Sequence, residues 1–280
     1  MNKTLLVAMA LTSTLSASAQ KPVYLDETQP LEARVKDALS RMTTHEKISV
    51  IHAQSKFTSA GVPRLGIRQL SMDDGPHGVR EELEWNSWQP AAWTNDSIVA
   101  FPSLTCLAAT WNPSIAHLYG KAVSEEFAFR GKDVMLGPGV NIARTPLNGR
   151  NFEYFGEDPC LASSMVVPYI QGAQANGVGC CLKHFALNEQ EIDRFAVNVN
   201  VDERALNEIY LAPFKAAVQK AHVWTIMASY PFWEGVHCCQ NDQLLNGILK
   251  KDWGFNGAVV SDWGGVTDTW EAAMGGLDIE

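Results

Sequence analysis

Short apolar segments alternate with longer amphipathic segments from about residue 100 to the end of the chain. The amphipathic segments carry apolar residues at helical spacing and predict helices over residues 112–130, 158–176, 202–220 and 242–252. Each begins near a residue that can cap a helix, and three end at a glycine. The apolar segments predict strands over residues 134–136, 178–182, 223–228 and 257–260. Two earlier helices are expected over residues 30–42 and 44–52, ahead of a loop-rich region.

Helices that alternate with continuously apolar strands indicate an α/β protein with a parallel sheet covered by helices. Polar residues directly follow three successive strands, as Lys183-His184, Ser229-Tyr230 and Ser261-Asp262. Because the carboxyl ends of parallel strands meet at one face, this pattern favours a (β/α)8 barrel. A dinucleotide-binding sheet is disfavoured, since no glycine-rich turn follows the first strand. With about six strand–helix units, the barrel is expected to be incomplete at its C-terminal end, with apolar edges left open.

The composition is that of a globular protein, with 46% hydrophobic and 19% charged positions among 280 residues. The formal net charge is −9, and no run of lysine and arginine is long enough to neutralise a line of phosphates. Nucleic acid is therefore not expected as a partner. An acidic surface of this kind tolerates neutral ligands such as sugars.

Residues 1–19 combine Lys3, an apolar run over residues 5–11 and the small residues Ala17-Ser18-Ala19. This arrangement is typical of a secretory signal peptide cleaved before Gln20. A membrane anchor is the alternative, but the apolar run is too short for a hydrocarbon core about 30 Å thick. Residues 20–280 are therefore expected to form an exported domain, periplasmic or extracellular, with no membrane attachment after cleavage.

The six cysteines include two adjacent pairs, Cys180-Cys181 and Cys238-Cys239, and their spacing matches neither a disulfide framework nor a metal site. Most of them are expected to be small buried residues. His184, His222 and His237 show no ligand-like spacing either. Neither a metal nor another cofactor is expected.

Asp262 ends an apolar strand and is followed by Trp263 and two glycines. A carboxylate at this place points into the mouth of a barrel, where Trp263 could shield it from water or stack on the apolar face of a ring. The alternative is that Asp262 caps the following helix. Lys183 and His184 offer hydrogen-bond donors for hydroxyl groups, although Lys183 alone could also be the Schiff-base lysine of an aldolase-like barrel.

Two further segments carry candidate chemistry. The loop over residues 138–159 combines arginines, carboxylates and aromatic residues without helical or strand period, which favours a functional loop. The segment 73–80 contains a Gly75-Pro76 turn flanked by Asp74 and Arg80, and on its own it could be only a turn.

Six motifs together resemble glycoside hydrolase family 3 in order and spacing, over roughly residues 30–280. They are Asp74-Gly75-Pro76 to Arg80, Gly149-Arg150-Asn151-Phe152-Glu153, Glu157-Asp158-Pro159, Lys183-His184-Phe185, Ser229-Tyr230 and Ser261-Asp262-Trp263-Gly264. The resemblance implies the N-terminal (β/α)8 domain of a retaining exo-β-glycosidase of the β-glucosidase or β-xylosidase type. It implies that Asp262 is the nucleophile, which forms a covalent glycosyl-enzyme that water then hydrolyses.

By the same resemblance, other matched residues bind the sugar. Asp74 is implied to accept hydrogen bonds from hydroxyl groups at the non-reducing end, and Tyr230 to lie near the nucleophile. The implied donors to sugar hydroxyls are Arg80, Arg150, Lys183, His184 and Arg194, with Trp263 beside the pocket. The implied substrate is a small oligosaccharide or an aryl or alkyl β-glycoside, and the choice between glucose and xylose stays open.

The chain also departs from the family pattern. After Phe185 it lacks the Pro-Gly-His loop of the N-acetylglucosaminidase branch, which disfavours that branch. Tyr230 is followed by Pro231-Phe232-Trp233-Glu234, where relatives usually carry an asparagine. Family members continue into the rest of the barrel and an α/β sandwich domain that usually supplies the general acid, so the chain is expected to lack that acid. The alternative function is therefore a non-catalytic sugar-binding remnant.

Overall fold

The computed structural model describes residues 21–93 and 97–280, so the predicted signal peptide lies outside the described residues. The chain divides into two units at residue 44. In the first unit, the helix predicted over residues 30–42 is present as α1 (Leu31–Arg41), preceded by a 3₁₀ turn at Val23–Leu25. Asp37 accepts a hydrogen bond from the backbone of Tyr24 at 3.0 Å, which ties the turn to the helix.

The second unit is built on a curled six-stranded sheet. The strands of this unit are β1 (Thr58–Ser59), β2 (Leu70–Asp74), β3 (Val134–Leu136), β4 (Gly179–Phe185), β5 (Asn198–Val199), β6 (Thr225–Ala228), β7 (Phe232–Trp233), β8 (Val236–His237) and β9 (Ala258–Ser261). The large sheet has the order β1-β2-β3-β4-β6-β9, with β1 antiparallel and the other five strands parallel. Strands β5, β7 and β8 form a small separate sheet.

Helices precede, connect and follow the strands of the large sheet. They are α2 (Thr44–Val50), α3 (Leu104–Ala108), α4 (Pro113–Phe129), α5 (Pro159–Gln174), α6 (Glu203–Ala205), α7 (Ala212–Ala216) and α8 (Thr269–Gly275), with π-helical segments at Leu206–Tyr210, Ala217–Ala221 and Gln243–Asp252. Short 3₁₀ turns lie at Pro63–Leu65, Asn151–Glu153 and Cys238–Gln240. The helix predicted over residues 202–220 therefore forms as a series of α and π segments.

The caps expected from the sequence are present. The Asn112 side chain accepts hydrogen bonds from the first turn of α4, and the Asp158 side chain does the same for α5. Gly131, Gly177 and Gly254 have φ between 70° and 77°, the left-handed region in which glycine ends a helix without strain. Local capping chemistry therefore sets these helix boundaries.

The large sheet is an incomplete barrel, as predicted, since the described residues supply five parallel strands where a full barrel has eight. The expectation of an open apolar edge beyond β9 is only partly met. Ser261 donates from its backbone to Ile279 at 2.9 Å, and Ile279 donates to Val259 at 2.9 Å. Glu280 in turn bonds to Ile51. Residues 278 and 279 therefore lie beside the outer edge of β9 and satisfy part of its backbone.

The core has two layers, and the adjacent cysteines of β4 show why. Successive strand residues face opposite sides, so Cys180 packs among the helices and Cys181 packs inside the curled sheet. These two and the Cys238-Cys239 pair are buried, as expected, whereas Cys106 and Cys160 are exposed, and all six are free thiols. In the described part of the chain, no helix is long and apolar enough to span a membrane.

Three features differ from the expectations. Strand β2 is not predicted by the sequence, because most residues of Leu70–Asp74 are polar. Strand β4 extends three residues beyond its predicted end, since the segment after β3 pairs with it: Val140 donates to the Lys183 carbonyl at 2.8 Å. The small sheet of β5, β7 and β8 is likewise unforeseen, since its strands are two residues long.

Candidate active site

Asp262 directly follows β9 and is 6% exposed. One carboxylate oxygen, Oδ1, accepts hydrogen bonds from the Tyr230 hydroxyl at 2.6 Å and from the Trp263 backbone at 2.8 Å. The other oxygen, Oδ2, is buried and has no hydrogen-bond partner among the described residues. Burial raises the pKa of Asp262, while the Tyr230 hydrogen bond and the nearby Lys183 charge oppose that rise. One oxygen is thus held in place, while the other accepts no hydrogen bond among the described residues.

Asp262 does not cap the following helix. Its side chain accepts from Trp263, the next residue, whereas α8 begins at Thr269 and is capped by Asp268, which accepts from Glu271 at 2.9 Å. The interpretation of Asp262 as a helix cap is therefore wrong.

His184 lies near the end of β4 and is fully enclosed. Arg150 donates from Nη2 to Nε2 of the imidazole at 2.8 Å, and Nδ1 lies 3.1 Å from the Tyr154 hydroxyl. Burial lowers the pKa of His184 well below its ordinary value, and the Arg150 and Lys183 charges lower it further. The ring is therefore neutral, with its proton on Nδ1, because Nε2 accepts from a guanidinium that can only donate. Nε2 lies 3.8 Å from the free oxygen of Asp262.

Lys183 is buried between carboxylates. Its Nζ lies 3.6 Å from Oε2 of Glu153 and 4.0 Å from Oδ1 of Asp74. Asp74 also accepts from Arg80 at 3.1 Å, and Glu153 accepts from Arg150. Burial opposes ionisation of Glu153, yet Lys183 and Arg150 outweigh it and hold the Glu153 pKa below its ordinary value. This pairing does not suit a Schiff-base lysine, which needs a neutral amine.

Aromatic rings line one side of the site. The Trp263 ring lies 5.2 Å from the Phe57 ring and 6.4 Å from the Trp88 ring, and its Nε1 donates to the Lys56 carbonyl at 2.9 Å. On another side, the Arg194 guanidinium lies 4.4 Å over the Tyr230 ring and donates to Glu191.

Most of the residues predicted from the sequence line one cleft of about 340 Å³. Its lining comprises Asp74, Arg150, Lys183, His184, Arg194, Tyr230, Asp262 and Trp263, together with Trp88 and Met227. Arg80 lines an adjoining cleft that shares Asp74, Arg150 and Lys183. The structure therefore brings together all nine residues that the sequence singled out, although Arg80 stands at the margin.

Sequence reasoning missed Trp88 and did not single out Glu153. Three tryptophans in one polar loop, at positions 85, 88 and 93, were the available indication of an aromatic wall. Among the described residues, no group of three or more histidine, cysteine or acidic side chains could hold a metal ion. The cleft thus offers one free carboxylate oxygen, a neutral imidazole, several cations and an aromatic face, which together suit a polyhydroxylated ring.

Comparison with known proteins agrees with this geometry. The profile of the Glycosyl hydrolase family 3 N terminal domain matches residues 91–274. Beta-glucosidase BoGH3A of Bacteroides ovatus is 60% identical over 261 residues, which are 93% of this chain and 35% of that protein. Thermostable beta-glucosidase B of Acetivibrio thermocellus is 44% identical over 248 residues, 88% of this chain and 32% of that protein.

A solved structure shares the fold. Beta-glucosidase 3B from Thermotoga neapolitana, in complex with glucose, superimposes with a TM-score of 0.81 at 38% identity, over 88% of this chain and 36% of that one. The chain thus spans about a third of the length of the relatives that it matches. On the strength of the profile match and of the ordered motifs in the cleft, the chain belongs to glycosyl hydrolase family 3, in the N-terminal domain of that family.

Proposed function

We propose that this chain carries the sugar pocket and the nucleophile of a retaining exo-β-glycosidase that cleaves terminal β-D-glucosides. The observation that carries the proposal is the asymmetry of Asp262, a residue of the cleft lining: Oδ1 is fixed by Tyr230 and Trp263, while Oδ2 accepts no hydrogen bond among the described residues. A nucleophilic carboxylate needs this arrangement, because one oxygen must be oriented and the other available.

In the first step Oδ2 of Asp262 attacks the anomeric carbon, forming an ester bond to the sugar while the bond to the leaving oxygen breaks. In the second step the oxygen of a water molecule bonds to the same carbon and loses a proton to the solution, while Asp262 leaves as the carboxylate, with net retention. The positive charges of Lys183 and Arg150 favour the ionised form of Asp262 against its burial. Asp74, Arg80 and the donors around His184 hold the sugar hydroxyls.

A retaining reaction also needs a second carboxyl group about 5 Å from the nucleophile to protonate the leaving oxygen. Among the described residues, Asp74 is the other carboxylate in the lining of the cleft, and its contacts with Arg80 and Lys183 suit acceptance of hydrogen bonds better than proton donation. The proposal therefore assigns no general acid to this cleft. For that reason the test uses a substrate whose leaving group departs without a proton.

The test is trapping with 2,4-dinitrophenyl 2-deoxy-2-fluoro-β-D-glucoside. We expect release of one dinitrophenolate per chain and a fluoroglucosyl adduct, located by mass spectrometry on the peptide that contains Asp262. The Asp262→Asn variant should give neither. An adduct on another carboxylate in folded protein would contradict the proposal, and the corresponding xyloside, tested in parallel, decides between glucose and xylose.

A non-catalytic sugar-binding remnant is the second candidate, favoured because the described part of the cleft lining holds no second carboxylate without a cationic partner. It predicts that glucose binds, as measured by calorimetry, while the fluoroglucoside leaves Asp262 unlabelled. The two candidates therefore differ in one measurement.

We also propose that the chain is exported to a periplasmic or extracellular compartment, on the basis of the pattern in residues 1–19. N-terminal sequencing of the protein recovered from its native cells should begin at Gln20. A mature N-terminus at Met1 would contradict export by cleavage.

A further inference from the structure

The backbone of His184 is held by a side chain of another segment. The His184 N–H donates to Oδ1 of Asn141 at 2.7 Å, and Nδ2 of Asn141 donates to the His184 carbonyl at 3.0 Å. Asn141 follows β3 and is fully buried. The backbone N–H and the backbone carbonyl of His184 thus both bond to the side-chain amide of Asn141.

The orientation of that amide is set by Glu189. Nδ2 of Asn141 also donates to Oε1 of Glu189 at 3.2 Å, and the carboxyl group of Glu189 is fully enclosed. An asparagine amide has one donor side and one acceptor side, so a flipped amide would set its oxygen against the His184 carbonyl and the Glu189 acceptor. Glu189 therefore stabilises the one orientation that satisfies His184.

The Glu189 carboxyl group also accepts a hydrogen bond from the backbone of Ile142 and lies near the Arg144 charge. In the described part of the chain it belongs to no ion pair, and it does not line the cleft. The neighbouring peptides have supports of their own, since Ser229 donates from its backbone to the Phe185 carbonyl at 2.7 Å and from its hydroxyl to the Ala186 carbonyl at 2.5 Å. Loss of the Glu189 acceptor should therefore act on the Ile142 backbone and, through Asn141, on His184.

We propose that Glu189 is a positioning residue of this site: through Asn141 it fixes the His184 backbone, and with it the imidazole that faces Arg150 and Asp262. The inference rests on the proposed function in assigning the consequence to catalysis. Glu189 itself contacts neither the cleft in which the sugar is proposed to bind nor Asp262. Since the imidazole nitrogen Nε2 lies 3.8 Å from the free Asp262 oxygen, a tilt of the backbone would change the surroundings of the reacting atom directly.

The test compares two variants of Glu189 in the full chain. Glu189→Gln keeps an acceptor oxygen at the same distance along the side chain, whereas Glu189→Met keeps the length and removes the acceptor. With the fluoroglucoside, Glu189→Met should label Asp262 at least tenfold more slowly than the parent protein, and Glu189→Gln should stay within threefold. The control Leu249→Ala loses a buried side chain outside the site, and it should lower thermal stability without slowing the labelling.

A spectroscopic readout keeps the inference separate from the proposed function. The imidazole ¹⁵N signals of His184, assigned with the variant His184→Asn, should coincide in the parent protein and Glu189→Gln and shift in Glu189→Met. An unshifted His184 signal, or labelling by Glu189→Met at the parent rate, overturns the inference. So does a Glu189→Gln variant as slow as Glu189→Met.

If the parent protein is not labelled at all, the proposed function fails while the spectra still decide whether Glu189 positions His184. Should Glu189→Met not fold, Asn141→Ser removes the same clamp with a smaller side chain, and it must then shift the His184 signal for the inference to stand.

Discussion

The cleft has one half supplied by strand ends and one half supplied by loops, and the two halves are held differently. Lys183, His184, Tyr230 and Asp262 come from β4 or directly follow β6 and β9, and each is at most 6% exposed. Apart from Asp74 at the end of β2, the other half comes mainly from loops, and Trp88 within it is 46% exposed. The groups proposed to do the chemistry are therefore those fixed by the sheet, while the loops surround the sugar.

This division follows from the physics of parallel sheets. Backbone hydrogen bonds between adjacent strands fix the positions of their carboxyl ends. The Cα position of a side chain at such an end is therefore well defined. A loop side chain is placed only by its own contacts, such as the ion pair of Arg80 with Asp74. Substitutions in the two halves should therefore differ in kind as well as in size.

Removing the nucleophile should have the largest effect. Asp262→Ala should lower turnover of 2,4-dinitrophenyl β-D-glucoside by about 10⁴-fold or more, because no other group can form the intermediate. Azide should restore part of the rate by entering the vacated space and should yield the α-glucosyl azide, identified by NMR. A β-azide product would mean that the sugar is attacked from the other face and would refute Asp262 as the nucleophile.

The strand half was largely predictable from the sequence. Lys183-His184, Ser229-Tyr230 and Ser261-Asp262 each follow an apolar run, and a parallel sheet then brings them to one face without further information. The helix caps at Asn112 and Asp158 were equally local. Such features depend on neighbours a few residues away, which the sequence displays.

The rest depends on contacts between distant segments. The end of β4 forms because residues 138–140 pair with it. The residue types at this end of β4 do not indicate which segment will pair with it. Trp88 reaches the cleft only because its loop folds back onto Phe57 and Trp263. The contact between Asn141 and Glu189 joins residues 48 positions apart. Periodicity carries no information about such pairings.

The next largest effect should come from Lys132, which joins the end of β2 to the following loop through ion pairs and does not line the cleft. Its Nζ lies 3.2 Å from Asp73, whose other oxygen accepts the backbone N–H of Asp74 at 2.9 Å, and 2.7 Å from Glu82 in the loop. Burial already raises the Asp73 pKa to about 7. Lys132→Met should therefore cost about 3–5 kcal/mol of unfolding free energy in urea above pH 7, where Asp73 is ionised, because a buried carboxylate loses its cation.

Lys183→Met is the matched control for Lys132→Met, since both lysines are buried among carboxylates. It should weaken glucose binding by calorimetry more than it lowers stability, because Glu153 keeps its contact with Arg150. If the two variants showed the same balance between lost stability and lost binding, the distinction between fastening and binding residues would be wrong.

The unfolding free energy should depend on pH through Glu189, which supports His184 in the strand half of the cleft. Burial raises the pKa of Glu189 to about 7 from the 4.5 of a free side chain, although the Asn141 hydrogen bond opposes the shift. The folded state thus holds a proton that the unfolded state releases. The stability from Glu189 is complete below about pH 4.5 and is lost as the pH rises through 7, by about 3 kcal/mol.

Glu189→Gln does not titrate, so its unfolding free energy should fall less between pH 5 and pH 8 than that of the parent protein, as measured in urea. Asp73 has a raised pKa of the same sign, and its contribution is common to both proteins and cancels in the difference. Parallel stability curves for the two proteins would show that Glu189 is ionised in the folded state throughout this range.

The smallest effect should come from the exposed aromatic side of the loop half. Trp88→Ala removes a ring that lines the cleft and contacts Phe57 and Trp263, so it should weaken binding of phenyl β-D-glucoside by about 1 kcal/mol, roughly fivefold. We expect little change in the rate at which bound fluoroglucoside labels Asp262, because the nucleophile is fixed by the sheet. Trp85→Ala, an equally exposed tryptophan outside the lining, should leave both quantities unchanged. A Trp88→Ala variant that labels tenfold more slowly at saturation would show that the loops position the reacting atoms as well as the sugar, and the division between the two halves would then fail.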